Sequence, residues 1–377
     1  MDRDWAWCGD PPVIFAESEF GTVGVEYEAT IIDRQTSRPR HLASSLANET
    51  RPALTRGAIC PDLFESTLEL VTGICTSMDE VRADLHAIHG TVQPVLDRHD
   101  ATLLGMGLPA VPRSTEFNTT SAPRYRDIIE SFQWPARRLM TNGIHIHVGM
   151  PSGDHALRTT RGLRSLLPVL LALSGSSPFR NGEATGLAST RMALWSAFPR
   201  SGPMPSFADM GEYEQYCQVM QRAGAIGAAN ELRWDCRLNA GLGTVEIRVA
   251  DTVAEMEDVL ALCAFAWCLA VGVEELHDFH LPTELSDENR WRAIRYGSQG
   301  EFIVDASGSV ETLDVLTERI INSLKGTAAI LGCGAHLDRC RELASGRAPH
   351  QRLTSGEPGS SERDLATAAE LIMRVDW

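Results

Sequence analysis

Polar and apolar residues alternate with a period of two in four short stretches of the chain. These are Gly24-Val25-Glu26-Tyr27-Glu28, Asp62-Leu63-Phe64-Glu65-Ser66-Thr67-Leu68-Glu69, Gly143-Ile144-His145-Ile146-His147-Val148 and Thr244-Val245-Glu246-Ile247-Arg248-Val249. A β-strand sends residues i and i+2 to one face. Glu26 with Glu28, Glu65 with Thr67 and Glu69, His145 with His147, and Glu246 with Arg248 are therefore each expected on one side of a strand. Val25, Tyr27, Leu68, Ile144, Ile146, Val148, Val245, Ile247 and Val249 are expected on the other. Elsewhere the apolar spacing turns helical. Ser77-Met78-Asp79-Glu80 reads as a capping box, followed by the stripe Val81, Leu85, Ile88, Val92 and Val95. Further helices are expected around Leu157 to Ser174, and from the capping box at Thr252 to Glu255 through about Leu276. Strands are expected near Phe64 to Thr72 and Thr102 to Met106. The run from Asn239 to Gly243 joins two apolar stretches, Leu232 to Leu238 and Thr244 to Ala250, as a hairpin.

Composition narrows this picture. With 377 residues, 43% hydrophobic and 22% charged, the chain has the make-up of a soluble globular protein. Candidate polar positions run from Glu26 to Glu246 with no linker-like break, so residues 1–377 are read as a single catalytic domain. A polar stretch, 346–361, is expected to be a mobile loop within it. The formal net charge of −16 argues against nucleic acid or an anionic membrane as partner. Lys325 is the single lysine, so no G-x-x-x-x-G-K-[ST] phosphate loop exists, and phosphates must be held by metal, arginine and backbone. The nine scattered cysteines include no C-x-x-C pair, and no signal peptide is visible; both fit a cytoplasmic protein.

If the four strands share a sheet, its polar face gathers glutamates, two imidazoles and an arginine. So many carboxylates cannot all stay ionised without cations between them. Oxygen donors with a minority of imidazole suit magnesium or manganese better than zinc. An ordinary wet strand face also alternates, but it mixes in Lys, Ser and Gln, and these strands carry no lysine. Arg248 can pair bidentately with a phosphate edge or form a salt bridge to Glu246. His147 reads equally as a ligand or as a histidine orienting a carboxylate. Arg191, in the long Gly/Pro/Ser-rich segment from Gly175 to Met210, suits a substrate carboxylate or phosphate. Asp235 and Arg237 share a face beside the Glu246 strand and extend the site or form an ion pair. Glu65 joins them as a candidate substrate-binding residue, and Trp291 is read as core.

Together these segments resemble the glutamate–cysteine ligase type 2 family of carboxylate–amine ligases. The resemblance runs from about Gly21 to about Val304. Its motifs are Gly-Val-Glu-Tyr-Glu (24–28), Glu-Leu-Val-Thr-Gly-Ile-Cys (69–75), Gly-Ile-His-Ile-His-Val-Gly (143–149), Leu-Leu-Ala-Leu-Ser-Gly-Ser-Ser-Pro-Phe (170–179), Arg-Trp-Asp-Cys-Arg (233–237), Gly-Thr-Val-Glu-Ile-Arg-Val-Ala-Asp (243–251) and Asn-Arg-Trp-Arg-Ala (289–293). The family's usual opening has Glu where Tyr27 stands, a position facing away from the site. The resemblance implies a glutamine-synthetase-like α/β (α+β) fold, a mainly antiparallel curved sheet with a polar active-site face and helices packed on the other. It implies Glu26, Glu28, Asp62, Glu69, His145 and Glu246 as metal ligands, with Arg248 and Glu246 catalytic. It further implies ATP with Mg2+ or Mn2+, and an acyl phosphate from which an amine displaces phosphate, forming an amide, expected to be γ-glutamyl. The expected partners are small-molecule carboxylate and amine substrates, with a homodimer left open.

Two other readings stand beside it. His145-Ile146-His147 resembles the H-x-H of metal-dependent amidohydrolases, which are eight-stranded barrels. A catalytically silent relative acting as a binding partner is the other. ATP-dependent release of ADP separates the ligase from both. Phe179, Trp195, Phe198 and Phe207 supply aromatic surface that could line a pocket for an amine bulkier than cysteine, or simply anchor the segment to the core.

Overall fold

The computed structural model describes residues 15–110, 118–355 and 360–377. The first strands are β1 (Val23–Asp33), β2 (Ala58–Pro61), β3 (Thr67–Val71), β4 (Ala101–Leu104) and β5 (Gly143–Gly149). Short ribbons follow, β6 (Phe179–Arg180) with β7 (Glu183–Ala184) and β8 (Ser201–Gly202) with β9 (Arg233–Trp234). The expected hairpin forms from β10 (Cys236–Asn239) and β11 (Thr244–Asp251). Seven strands make the main sheet in the order β10-β11-β5-β1-β3-β2, with β4 paired to the second half of β1. Every pairing in this sheet is antiparallel. The chain is thus a mixed α/β protein, as the resemblance implies.

The apolar half of the alternation points where expected. Val25, Tyr27, Ile144, Ile146, Val148, Val245 and Ile247 are buried in the core. Tyr27 donates from its hydroxyl to Val253 O at 2.9 Å. A Cβ at Gly105 would lie 2.3 Å from that hydroxyl, so a glycine there is what makes room for the Tyr27 ring. Behind the sheet pack α1 (Ala43–Thr50), α2 (Met78–Arg98), α4 (Gly153–Leu163), α5 (Leu167–Ser174) and α8 (Met256–Val271). Between them in sequence lie α3 (Pro123–Phe132), α6 (Thr190–Ser196) and α7 (Met210–Arg222), and α9 (Thr283–Tyr296) comes after. Ser77 caps α2 by accepting from Glu80 N, and the whole predicted stripe from Val81 to Val95 is buried.

Several local expectations differ. The strand read from Phe64 begins at Thr67, because residues 62–66 form a turn. The helix read from Leu157 to Ser174 is two helices, with Pro168 at the start of the second, where a missing N–H costs nothing. Thr252 does not cap α8; its hydroxyl donates to Glu28 O at 2.8 Å and the helix begins at Met256. Trp291 is 49% exposed rather than core, since it lies on the outer side of α9. Of the stretch 346–361, Pro349–Thr354 forms a short helix, and 356–359 lie outside the described residues. No single helix among the described residues is long and apolar enough to cross a membrane.

Candidate active site

Cross-strand register assembles the polar face. Glu26 stands opposite His145, Glu28 opposite Glu69, His147 opposite Glu246, and Arg237 opposite Glu246. The period-two pattern of each strand and the central place of β1 therefore bring residues more than two hundred positions apart into one layer. His145 places Nδ1 2.9 Å from Glu26 Oε2 and Nε2 3.6 Å from Glu28 Oε1. His147 places Nδ1 3.0 Å from Thr244 Oγ1 and Nε2 3.0 Å from Glu26 Oε1.

Two groups of donor atoms converge within 4.8 Å, Glu26 with His145 and Glu246, and Glu28 with Glu69 and His145. Asp62 lines the same cavity, which measures about 760 Å³. Without a cation the charges settle unevenly. Burial and the neighbouring Asp62 push the Glu28 carboxyl up to about 8. Burial and the charges of Glu26, Asp62 and Glu28 hold Glu69 well above its usual range, and burial raises Asp62. Glu26 goes the other way: burial opposes its charge, but hydrogen bonds from His145 and His147 hold it far below. Burial, then Arg248, lowers His145 to about 4, leaving a neutral imidazole able to act as a ligand. Carboxylates that repel one another in a buried site, with one neutral imidazole shared between two clusters, fit a hard divalent cation such as magnesium or manganese.

The arginines form the other half. Arg237 grips Glu246 with Nε to Oε2 at 2.9 Å and Nη2 to Oε1 at 3.0 Å. Arg248 also pairs with Glu246, and the two guanidiniums overcome burial to keep that carboxylate ionised. Arg248 lies within a β-bulge, where the register to β5 shifts between Ile247 and Ala250. On its other edge Arg248 keeps the β10 register, its N–H donating to Asp235 O at 2.8 Å. Arg191 is 3% exposed and donates to Val249 O and Arg248 O, with Asp251 3.6 Å away. A Cβ at Gly143 would lie 2.1 Å from its Nη2, so this guanidinium occupies the space a side chain would fill.

Glu26, Glu28, Asp62, Glu69, His145, Arg191, Arg237 and Arg248 line the cavity, and Glu246 and His147 sit directly behind them. Two expected residues do not join. Glu65 lies in the turn before β3, where its carboxylate accepts from Ser44 N at 3.0 Å and Ser44 Oγ at 2.6 Å, at the start of α1. Asp235, between β9 and β10, lines a different cavity and pairs with Arg290 through Nε at 2.5 Å and Nη2 at 3.1 Å. Conversely, Arg124, Arg200 and Arg233 line the cavity but were not singled out from the sequence. Arg233 lies over the rings of Phe132 and Phe198, and its guanidinium donates to Glu231 O at 2.8 Å. Burial, then Arg248 and Arg237, drop it to about 10. The one available signal was its place in the Arg-Trp-Asp-Cys-Arg run, obscured in a chain where nearly every basic residue is arginine.

A sheet face of this kind, with two carboxylate clusters and an arginine wall around one cavity, has the donor chemistry that metal-assisted phosphoryl transfer calls for. The model of the glutamate–cysteine ligase family 2 matches residues 22–368, and the chain belongs to that family of ATP-dependent carboxylate–amine ligases. It is similar to the putative glutamate–cysteine ligase 2 of Thermobifida fusca, 35% identical over 347 residues, covering 90% of this chain and 87% of the relative. The corresponding Gloeobacter violaceus protein is 34% identical over 368 residues, covering 96% of both. The fold is similar to the glutamate–cysteine ligase of Francisella tularensis solved in complex with AMP, with TM-score 0.68 at 13% identity, covering 95% of this chain and 89% of that one. A bifunctional glutathione synthetase from Pasteurella multocida superposes with TM-score 0.64 at 16% identity, over 93% of this chain and 52% of that one.

Proposed function

We propose that this ligase activates the side-chain carboxylate of glutamate by phosphorylation and joins it to an amine larger than cysteine. Glu26, Glu28, Asp62, Glu69, His145 and Glu246 would hold Mg2+ or Mn2+. When bound, such ions neutralise phosphate oxygens and favour phosphoryl transfer. Arg248 presents a planar, permanently charged fork to the transferring phosphoryl group. Arg237 keeps Glu246 ionised and fixed, and His147 orients Glu26. A carboxylate oxygen of glutamate attacks the γ-phosphorus, the bond to the β–γ bridging oxygen breaks, and ADP leaves with that electron pair. The amine then attacks the acyl carbon, loses a proton, and expels inorganic phosphate. The observation that carries this reading is the meeting of both carboxylate clusters with Arg248 on one wall of one cavity. The antiparallel sheet leaves no place for the barrel that the hydrolase reading needs.

The acceptor end rests on aromatic placement. Trp195 and Phe198 line the cavity beside Phe132, whose ring centroid is 4.3 Å from that of Phe198. Phe179 is instead in the core, and Phe207 packs against Tyr213 and Trp234. Half of the expected aromatic supply thus faces the site, enough to seat an apolar or aromatic amine. The eight described cysteines are all free, which supports a reducing, cytosolic setting. Incubation with ATP, magnesium, glutamate and a panel of amines, read by phosphate release and product mass, tests the proposal. Phosphate release should require both substrates and favour bulky amines over cysteine. Exclusive γ-glutamylcysteine formation would remove the acceptor assignment, and turnover with zinc and no nucleotide would remove the ligase mechanism.

A further inference from the structure

A second cavity, of about 400 Å³, lies on the far side of the segment that carries Arg237. Its size falls in the range of small-molecule sites. Arg158, Arg161, Arg164 and Arg290 line it, in a protein whose net charge is −16. Arg158 and Arg161 are one helical turn apart in α4, and neither pairs with a carboxylate among the described residues. Like charges at that spacing repel one another on a helix, and an anion between them would relieve that repulsion. Arg164 donates to Met204 O at 2.7 Å and Asp287 at 2.9 Å, while its Nε is buried without a partner among the described residues. Arg290 is held by Asp235, and Leu171 contributes to an apolar wall. Acidic groups facing the cavity are Asp235, Asp287 and Glu274, which leaves the arginines in excess.

We propose that this cavity binds a small organic anion, a carboxylate or phosphate with a modest apolar body, and that its occupancy is transmitted to the catalytic cavity. The connection is short. An anion at Arg290 competes with the Asp235 carboxylate. The Asp235 carbonyl receives the Arg248 N–H at the bulge, at 2.8 Å. Two residues on, Arg237 grips Glu246. A change in the Asp235–Arg290 pair therefore acts on the backbone that aims Arg248, one strand serving two sites. The transmission rests on the catalytic assignment above, whereas the binding does not.

Calorimetric titration with glutarate and, separately, with inorganic phosphate tests the binding, using the full chain and an Arg158→Ala/Arg161→Ala variant. Both arginines are exposed on α4, so the variant should fold and keep its basal turnover. Glutarate or phosphate affinity should fall by about tenfold or more in the variant, as expected when charge-assisted contacts are lost. It should persist in Glu246→Gln, which removes no group that lines this cavity. The stronger of the two probes identifies the class of anion. Hydrogen exchange in the peptide containing Arg248 should change on adding that probe to the parent and stay unchanged in the double variant. Equal affinity in parent and double variant, or an unchanged Arg248 peptide at saturating probe, overturns the proposal. Failure to form any amide would leave both readouts intact and would count against the catalytic reading alone.

Discussion

Glu28 and Glu69 stand directly opposite one another on adjacent antiparallel strands, the arrangement a sheet tolerates least between like charges. Both carboxyls are pushed upward by burial and by other acids. A divalent cation that relieves this repulsion binds the folded chain and not the unfolded one. Magnesium at about a hundred times its dissociation constant should then add roughly 2.7 kcal/mol of stability. Glu69→Gln should melt higher than the parent in chelator and gain little from magnesium. Thermal melts with and without magnesium check this, and a parent indifferent to the ion would contradict it.

The same repulsion sets a pH dependence for the metal-free protein. Glu28 titrates at about 8 when folded and near 4.5 when unfolded, so across that interval the folded state binds more protons. Stability contributed by its protonated form is therefore lost as pH rises through the folded value. Asp62 and Glu69 shift the same way, and His147, raised by Glu246 and Glu26 against burial, adds to it. His145, lowered to about 4, opposes them only below its unfolded value of 6.5. Between pH 6.5 and 8 denaturant midpoints in chelator should fall, and saturating magnesium should flatten the slope.

Arg248 and Glu246 should separate charge from shape. Arg248→Lys keeps the charge but loses the planar fork, and Glu246→Gln keeps the shape but loses the charge. Each should cut turnover on the order of a hundredfold or more, with circular dichroism close to the parent. Near-normal turnover in Arg248→Lys would remove its role at the phosphate.

Arg233 is half-hidden in the cavity wall with no carboxylate partner among the described residues. An uncompensated buried charge costs stability, and a substrate anion offsets that cost. Arg233→Met should therefore raise the melting temperature and raise KM for glutamate or ATP by about tenfold. A variant that melts lower, with KM unchanged, would make the residue purely structural.

Period-two counting holds along β1 and β5 and along β11 up to its bulge. Glu26, Glu28, His145 and Arg248 line the cavity, His147 and Glu246 are buried behind them, and Tyr27 is in the core as its parity requires. It failed where the strand stops. Glu65 falls in the turn before β3, and Asp235 in the irregular residue between β9 and β10, so neither keeps the parity of its neighbours. The place of β5 between β1 and β11 and the bulge at Arg248 depend on contacts about a hundred residues apart, which no local pattern encodes. Arg191 was recognisable as an arginine in a long segment, but the vacancy at Gly143 that admits it belongs to tertiary packing.

The central claim is that a substrate carboxylate takes the γ-phosphoryl group before the amine attacks. Glutamate labelled with oxygen-18 in its side-chain carboxylate tests this most directly. The account predicts that the inorganic phosphate released during amide formation carries one labelled oxygen from glutamate, seen by mass spectrometry. Amide formation with unlabelled phosphate, or with ATP cleaved to AMP and pyrophosphate, would contradict it.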